Sequence, residues 1–312
     1  MRCDWEISRR KVLQLLAGSL CAPNLPIAAR NRVAEILRGA SPRLTQSCWY
    51  RIDATVSLWG MTFFVKWNAG GAYASVEICE SPARRDIGIQ FAAGSWPDRV
   101  HGLNRFGIWR EAVVEQENKP LEISFAGLLT DSREQTLTEG RSTLAQPQTT
   151  QTAIVARGGL SNGHMCTWLG RVALEYRGTW TGLPQLLTKL TGDEPSGVQR
   201  QIPAQDCTTF LHAMMETARQ DVDTRRCQFA HAGKLYTLET RRHPKHPLEF
   251  SGGIRGENGK LCSEFRVAYA DSQESRLPAR IEYRPKPFLN LTFEIEPTSS
   301  PSAMPSVFEE NA

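Results

Sequence analysis

The sequence lacks closely spaced cysteine pairs. It has eight cysteines, but none stands in a C-x-x-C arrangement, the spacing that clustered zinc and iron–sulfur ligands commonly use. The two histidines of His243-Pro244-Lys245-His246 stand among cations that repel a divalent metal, and His164 with Cys166 offers only two ligands. We therefore expect no metal and no other cofactor.

A large excess of charge of either sign is also missing. The net charge of the 312-residue chain is +4, and residues 1–29 hold four basic and two acidic side chains, so the remainder is close to balance. A nucleic-acid-binding surface needs a concentration of lysine and arginine. We therefore expect no nucleic-acid partner.

No apolar run is long enough to span a bilayer. The longest candidate follows Ser8-Arg9-Arg10-Lys11 and is interrupted by Cys21, Pro23 and Pro26, whereas a membrane-spanning helix needs about 20 apolar residues. The order of charged residues, a short apolar segment and the small residues Ile27-Ala28-Ala29 is that of a signal peptide. We expect no transmembrane segment in the mature protein.

Residues 1–29 resemble a twin-arginine export signal, in which Arg9 and Arg10 are the recognised pair. The resemblance implies transport by the twin-arginine export machinery, removal of residues 1–29 and a periplasmic location in a bacterium. The alternative interpretation is an N-terminal helix that packs Val12 and Leu16 on the core.

Six cysteines remain after removal of the signal, and an even number in an oxidising compartment permits disulfide bonds. The sequence does not select among the pairings. The alternative is that these residues are buried thiols that pack as small apolar side chains. The six are Cys48, Cys79, Cys166, Cys207, Cys227 and Cys262.

Alternation of apolar and polar residues dominates the remainder of the chain. Every second residue of Tyr50–Leu58 is apolar, and after Gly60 the pattern recurs in the segment 61–67, whose alternating residues are Met61, Phe63, Val65 and Trp67. Period-two alternation predicts strands with one buried face. The short connections between such strands favour antiparallel hairpins.

Two segments in the middle of the chain have helical spacing. Leu183–Leu190 is weakly helical, and Asp206 is suited to cap a second helix. We expect this second helix to lie against the sheet. Its apolar face includes Phe210, Met214 and Met215, which are the candidate ligand-binding residues because methionine adapts to varied apolar shapes.

These elements predict a mainly β protein with a large curved antiparallel sheet (barrel-like, half-barrel or sandwich) and a short helix between two strand blocks. The predicted strand blocks cover 46–177 and 224–296 and the helical connection covers 178–222, all within one domain of residues 30–296. Residues 297–312, rich in serine and proline, are predicted to be a disordered tail.

The segment Gly159-Leu160-Ser161-Asn162-Gly163 matches G-x-S-x-G, the nucleophile elbow of serine hydrolases. The elbow requires a helix after the serine, and residues 165–176 fit a helix and a strand about equally well. The elbow also belongs to a parallel sheet, whereas the preceding strands form predicted hairpins. The main prediction is therefore a glycine-rich hairpin loop, and a hydrolase that uses Ser161 is the alternative.

Four segments of the C-terminal third share an order with a known group of proteins. They are Asp206–Leu211, Cys227–Leu238, Cys262–Tyr269 and Leu277–Tyr283. This order resembles an uncharacterised family of exported bacterial proteins, grouped as a domain of unknown function. The resemblance implies a curved, barrel-like antiparallel sheet in the cell envelope, and it transfers no catalytic residue.

The combined expectation is an exported envelope protein that is not an enzyme. Its predicted role is to bind an apolar or acyl ligand, or a partner protein, on the curved sheet. A fully packed core that holds no ligand and acts in assembly is the alternative within this class.

Overall fold

The computed structural model describes residues 44–58, 61–95, 100, 106–131, 151–174, 183–192, 197–217, 222–231, 234–270 and 276–296. The predicted export signal with Arg9 and Arg10 lies outside the described residues, as does the predicted tail at 297–312. The two predicted strand blocks and the helical connection fall largely within them.

The described chain forms fifteen strands and two helices. The strands are β1 (Leu44–Leu58), β2 (Met61–Ser81), β3 (Arg84–Ser95), β4 (Phe106–Gln116), β5 (Glu122–Asp131), β6 (Gln151–Ser161), β7 (His164–Leu174), β8 (Gly197–Pro203), β9 (Cys207–Thr208), β10 (Thr224–His231), β11 (Lys234–His243), β12 (His246–Gly256), β13 (Leu261–Ala268), β14 (Arg280–Lys286) and β15 (Leu289–Ile295). The helices are α1 (Leu183–Gly192) and α2 (Phe210–Thr217). The prediction of a mainly β chain is confirmed.

All the strands belong to one sheet, in the order β8-β7-β6-β5-β4-β3-β2-β1-β15-β14-β13-β12-β11-β10-β9. Every neighbouring pair is antiparallel except β9 and β10, which pair in parallel. Strands β1–β8 follow one another across one half of the sheet and β9–β15 across the other, and the β1–β15 pair joins the halves. The large antiparallel sheet with its two strand groups is therefore confirmed, but the segment 178–222, predicted as a helical connection, also contributes the strands β8 and β9.

The two edges of this sheet are strands that follow each other in the chain. Strand β8 ends at Pro203 and β9 begins at Cys207, and a connection of this length spans at most roughly 14 Å. The sheet must therefore curl until its edges approach, which is the geometry of a barrel-like sheet. Strand β10, next to one edge, has buried side chains on both faces only at Phe229, which packs with the second half of the sheet, and Ala230, which packs in the main core.

The main core lies on the inner face of the curl and draws on both halves. Tyr50, Val113 and Phe293 pack there together with Met215 of α2. Helix α2 contacts β4 in the first half and β10 in the second. The expected position of the second helix against the sheet is thus confirmed.

The outer face of strands β3–β7 carries a separate core that α1 covers. Leu183 and Leu187 of this helix are buried against Ile108, Val155 and Trp168. The predicted helix at 183–190 is confirmed, and in this half the sheet has apolar packing on both faces. No described helix is long and apolar enough to cross a bilayer.

Glycines on the inner face make room for aromatic rings. The ring of Trp109 lies directly over Gly127, its cross-strand neighbour, and leaves no space for a Cβ atom there. Phe125 covers Gly158 in the same way. The rings of Trp109 and Phe125 stack with centroids 5.3 Å apart, so two strand pairs share one aromatic layer.

This layer predicts the result of adding one methyl group. Gly127→Ala should lower the free energy of unfolding by about 1–3 kcal/mol, because the new Cβ displaces Trp109 in a packed core. The matched control is Gly256→Ala, where the nearest atoms would be at ordinary contact distances of 3.4 and 3.5 Å. Urea unfolding of the two variants tests this, and a Gly127→Ala protein as stable as the control would contradict the described packing.

Candidate functional site

A buried glutamate, Glu111 of β4, holds the start of α2. It is 3 % exposed, and its Oε2 accepts hydrogen bonds from the Thr209 hydroxyl and from the His212 N–H, the latter at 3.1 Å. Its Oε1 accepts from the Trp109 indole N–H at 2.8 Å and from the Leu211 N–H at 3.4 Å. The backbone donors of the first helical turn therefore find their acceptor on a strand 100 residues away in the chain.

The charge of Glu111 depends on two opposing effects. Burial raises the pKa of its carboxyl, and the hydrogen bonds from Thr209, Trp109 and His212 lower it by less. The positive end of the α2 dipole favours a carboxylate at this position. Glu111 is thus a desolvated carboxyl group, and both of its oxygens accept hydrogen bonds.

The predicted cap at Asp206 is wrong. Helix α2 begins at Phe210, and Cys207–Thr208 forms strand β9 between Asp206 and the helix. Asp206 lies in the preceding turn with a φ of 56°, in the left-handed region that Asp tolerates better than most residues. The carboxylate that satisfies the helix start comes from Glu111 instead.

A second polar group includes the side chain of His212, in the same first turn of α2. The His212 ring has Nδ1 2.6 Å from the Thr208 hydroxyl and Nε2 3.1 Å from Oε1 of Glu115. The other oxygen of Glu115 accepts a hydrogen bond of 2.9 Å from Arg85. His212 is 6 % exposed, so the helix presents this ring to the interior of the sheet.

Arg85 connects this group to two further carboxylates. Its guanidinium lies 3.1 Å from Glu80 and 3.7 Å from Glu216 of α2. The hydrogen bond with His212, together with the charge of Arg85, holds the pKa of Glu115 at about 2. Glu115 is therefore ionised at any physiological pH.

Glu115, His212 and Glu216 each point one ligand atom toward the others. These atoms all lie within 4.8 Å of one another. The set was not identified from the sequence, although two signals were present. Glu111 and Glu115 flank the apolar residues 112–114 of β4, and His212 and Glu216 have the spacing that places two side chains on one face of a helix.

The three residues predicted to bind an apolar ligand lie in packed regions. Met215 is buried in the main core, and Met214 and Phe210 pack on the second half of the sheet, where the Phe210 and Phe229 rings are 5.4 Å apart. A groove of about 340 Å³ lies elsewhere, between Tyr236 and Arg255. The structure does not bring the predicted residues to this groove.

Ser161 does not stand at a nucleophile elbow. It ends β6, and the two turn residues Asn162 and Gly163 have φ values of 50° and 73°. These values are those of a two-residue hairpin turn, and Ser161 pairs with His164 across it. The segment after the serine is a strand instead of the helix that the elbow requires, so the predicted hairpin loop is confirmed and the hydrolase alternative loses its structural basis.

The six predicted disulfide cysteines are all free thiols. Burial raises the pKa of Cys48 to about 11, and burial also raises the pKa of Cys166, Cys207 and Cys227. Thiols with raised pKa values are poor nucleophiles at neutral pH. Cys207 is buried and the other five are half-buried, so these six residues form no disulfide bond here and the buried-thiol interpretation holds fully only for Cys207.

An exposed stretch of β2, here called the apolar ribbon, corrects another expectation. The strand at 61–67 is confirmed, but its apolar residues are exposed instead of forming a buried face. Strand β3 pairs with β2 only from Gly70 onward, so no described strand covers that edge of the ribbon. The ribbon consists of Met61 (57 % exposed), Phe63 (61 %), Phe64 (54 %), Val65 (37 %) and Trp67 (69 %).

The other exposed large apolar residues lie mostly at the same rim of the sheet. Leu129, Leu261 and Phe288 stand near strand ends that share this rim, and the Phe288 carbonyl accepts a hydrogen bond from Ser57 beside the ribbon. Among the described residues of this type, only Val222 lies at the opposite rim. Exposed apolar surface is thus concentrated at one end of the molecule.

Comparisons with known proteins extend this description only at the level of architecture. No known protein family matches the chain, and no curated protein matches it. Among solved structures, the chain is similar to the "Beta-barrel-like Protein of Domain of Unknown Function DUF1849 from Brucella abortus", with 8% sequence identity and a TM-score of 0.42. The alignment covers 82% of this chain and 98% of that chain. The fold described above rests on the strand order of this chain itself.

The buried carboxylate predicts a large cost for losing one acceptor. Glu111→Gln should lower the free energy of unfolding by about 2–3 kcal/mol. An amide nitrogen in place of Oε2 faces the His212 N–H, so the Thr209 hydroxyl and the His212 N–H both lose their acceptor. Glu117→Gln, at an exposed glutamate in the following turn, is the matched control and should change stability little. Thermal and urea unfolding provide the measurement, and equal stability of the two variants would show that Glu111 does not hold α2.

Proposed function

We propose that this protein is an exported, non-enzymatic component of the bacterial cell envelope that attaches to the surface of a phospholipid membrane through the apolar ribbon. The observation that carries the proposal is the exposure of the ribbon on both of its faces. This membrane contact is a specific form of the acyl-binding role expected from the sequence.

Exposure on two faces favours a lipid surface over a protein partner. Successive side chains of a strand point to opposite faces, and the neighbours Phe64 and Val65 are 54 % and 37 % exposed. A protein that docks on one face leaves the other in water. The headgroup and acyl boundary of a bilayer surrounds an inserted ribbon and removes both faces from water.

The magnitudes are sufficient for attachment. Complete burial of an apolar side chain of this size contributes about 1.5–3 kcal/mol, and five such residues lie within 61–67. Trp67 suits the interface because its ring is apolar and its indole N–H remains available to water. Lys66 has a flexible stem that allows its ammonium to reach the headgroups.

The backbone of the ribbon limits how deeply it can insert into the bilayer. Unpaired backbone groups are costly in hydrocarbon, and among the described strands none pairs with the β3-facing edge of 61–69. The proposal is therefore shallow insertion at the interface. The exposed residues Leu129, Leu261 and Phe288 at the same rim support an approach of the membrane to this end of the sheet.

Export through the twin-arginine pathway is part of the same proposal. It is supported by the resemblance of Ser8–Gln14 to the twin-arginine signal. That pathway carries chains that fold before they cross the membrane. The six described cysteines are free thiols, and a fold without disulfide bonds agrees with folding in a reducing compartment.

Membrane attachment predicts a loss of vesicle binding on removal of two ribbon residues. Phe63→Ser with Trp67→Ser should weaken co-flotation with vesicles of phosphatidylethanolamine and phosphatidylglycerol by more than about tenfold, because each lost side chain removes more than about 1 kcal/mol of burial. The control is Val222→Ser, an exposed apolar residue at the opposite rim, which should float as well as the unchanged protein.

Two results would contradict the membrane proposal. One is equal flotation of the ribbon variant and the control. The other has two parts: the unchanged protein forms a concentration-dependent dimer that the ribbon variant does not form, and the unchanged protein does not float with vesicles. The ribbon would then be an interface between two chains.

The export proposal predicts retention of a variant signal. Arg9→Lys with Arg10→Lys should leave the protein in the cytoplasm as an unprocessed precursor, because the paired guanidinium groups are the feature that the export signal presents. Arg2→Lys changes a nearby arginine outside the pair and is the control. Cell fractionation followed by mass measurement distinguishes precursor from product, and normal periplasmic arrival of the double variant would refute this route.

A further inference from the structure

We propose that Glu115, His212 and Glu216 form a binding site for one divalent transition-metal ion of the zinc type, with a fourth position open to water or to a small ligand. This site is independent of the membrane contact proposed above. It also differs from the expectation, based on the sequence, that the chain holds no metal.

The three side chains come from two elements that already face each other. Glu115 lies near the end of β4, and His212 and Glu216 lie one turn apart on α2. Their ligand atoms are all within 4.8 Å, and Nε2 of His212 is 3.1 Å from Oε1 of Glu115. A tetrahedral zinc ion with bonds of about 2.0–2.2 Å keeps its ligands roughly 3.4 Å apart, so this pair needs little movement.

The position of the histidine ring supports ligation. In most metal sites a histidine ligand donates its other ring N–H to an oxygen, which fixes the ring and directs the free lone pair to the metal. Nδ1 of His212 lies 2.6 Å from the buried Thr208 hydroxyl. Thr208 is itself held by its pairing with Phe229 on β10. In the absence of metal, Nε2 carries the ring proton and donates it to Glu115. Ligation requires the other neutral tautomer, in which Nδ1 carries the proton and donates it to the Thr208 hydroxyl, so that the Nε2 lone pair is available to the ion.

Arg85 prepares the carboxylate of Glu115 for the same role. It binds one oxygen of Glu115 at 2.9 Å and leaves the other oxygen directed at His212. Ligating carboxylates commonly have such a hydrogen bond on the remaining oxygen. The single positive charge of Arg85 faces Glu80, Glu115 and Glu216, and these four groups sum to two negative charges when ionised, which a divalent ion offsets.

The donor set selects the class of metal. An imidazole nitrogen with two carboxylates suits zinc, cobalt, nickel or copper, whereas calcium and magnesium prefer oxygen ligands throughout. Three protein ligands are also the usual number at zinc sites that keep an open position. The Glu115 side chain is 31 % exposed, so an ion has a route from solvent to the site.

The test is metal titration of the full untagged chain after treatment with a chelator. The expected result is one Zn²⁺ per chain by calorimetry, an upward shift of the thermal midpoint with Zn²⁺, and visible absorption bands of four-coordinate Co²⁺ when cobalt is used. His212→Gln and Glu216→Gln should each lower Zn²⁺ affinity by more than about tenfold, because a three-ligand site then keeps only two ligands.

Matched variants separate this site from other side chains. Glu80→Gln removes a contact of Arg85 but no ligand, and His243→Gln removes a half-buried histidine that is not part of the cluster, so both should bind Zn²⁺ as the unchanged protein does. Thr208→Val keeps all three ligands but removes the hydroxyl beside Nδ1. It should lower affinity by about 10–100-fold, which provides a test even if His212→Gln fails to fold.

The proposal is overturned by either of two outcomes. The unchanged protein takes up no Zn²⁺ and shows no thermal shift, in which case the group is an ion-pair network only. Alternatively, binding occurs but Glu216→Gln and Thr208→Val leave the affinity unchanged, in which case the ion lies elsewhere on the chain.

Discussion

The contact between the Glu111 carboxylate and the first turn of α2 is the interaction on which the arrangement of the interior depends. Strands β8 and β9 are the two edges of the sheet, and α2 follows β9 directly. The helix therefore enters the curled sheet with its free N–H groups in a place that water does not reach. Such groups are costly unless an acceptor meets them. Glu111 supplies the acceptor from the middle of the first half of the sheet, and in doing so it fixes where the helix lies across the two halves.

The apolar packing follows from this placement. With α2 inside, Met215 enters the main core and Ala213 packs with the second half of the sheet. With α1 outside, strand β4 is buried on both faces, so Val113 faces inward and Ile108 faces α1. Residues 111–114 of this strand are all buried, so Glu111 has no solvent-exposed side to occupy. Glu111 is tolerated there only because each of its oxygens accepts hydrogen bonds from α2, Trp109 or Thr209.

The parts of the fold that were predictable from the sequence are those set by local alternation. The strand at Tyr50–Leu58, the weak helix at 183–190 and the hairpin at Ser161 each depend on neighbouring residues, and each was predicted. The β1–β15 pairing joins residues more than 200 positions apart, and no local pattern encodes it. The same reason explains the error at Asp206, because a local carboxylate was assigned a role that a distant strand fulfils.

The metal-site candidate and the apolar ribbon differ in how far the sequence alone indicated them. His212 and Glu216 have a spacing that is informative on a helix, but their partner Glu115 is identified only when β4 and α2 meet. For the ribbon, the strand was predicted correctly and its burial was not. Alternation in 61–67 indicates a strand, but burial of its apolar residues depends on whether another part of the protein packs over them. Only the three-dimensional arrangement shows that the pairing of β3 with β2 ends at Gly70 of β2.

Curling resolves the problem of exposed edges for most of this sheet but not at the ribbon. An open sheet presents unpaired backbone groups along both edges, and those edges invite association with other chains. Here the first edge approaches the second, and β10 near that edge is buried at Phe229 and Ala230. The two terminal edges of the sheet follow each other closely in the chain, whereas the ribbon has no partner on its β3-facing edge among the described strands. The ribbon also carries five exposed apolar side chains at a single rim. The exposed apolar surface is therefore concentrated at one rim, and that rim is the end of the molecule that the proposed membrane contact uses.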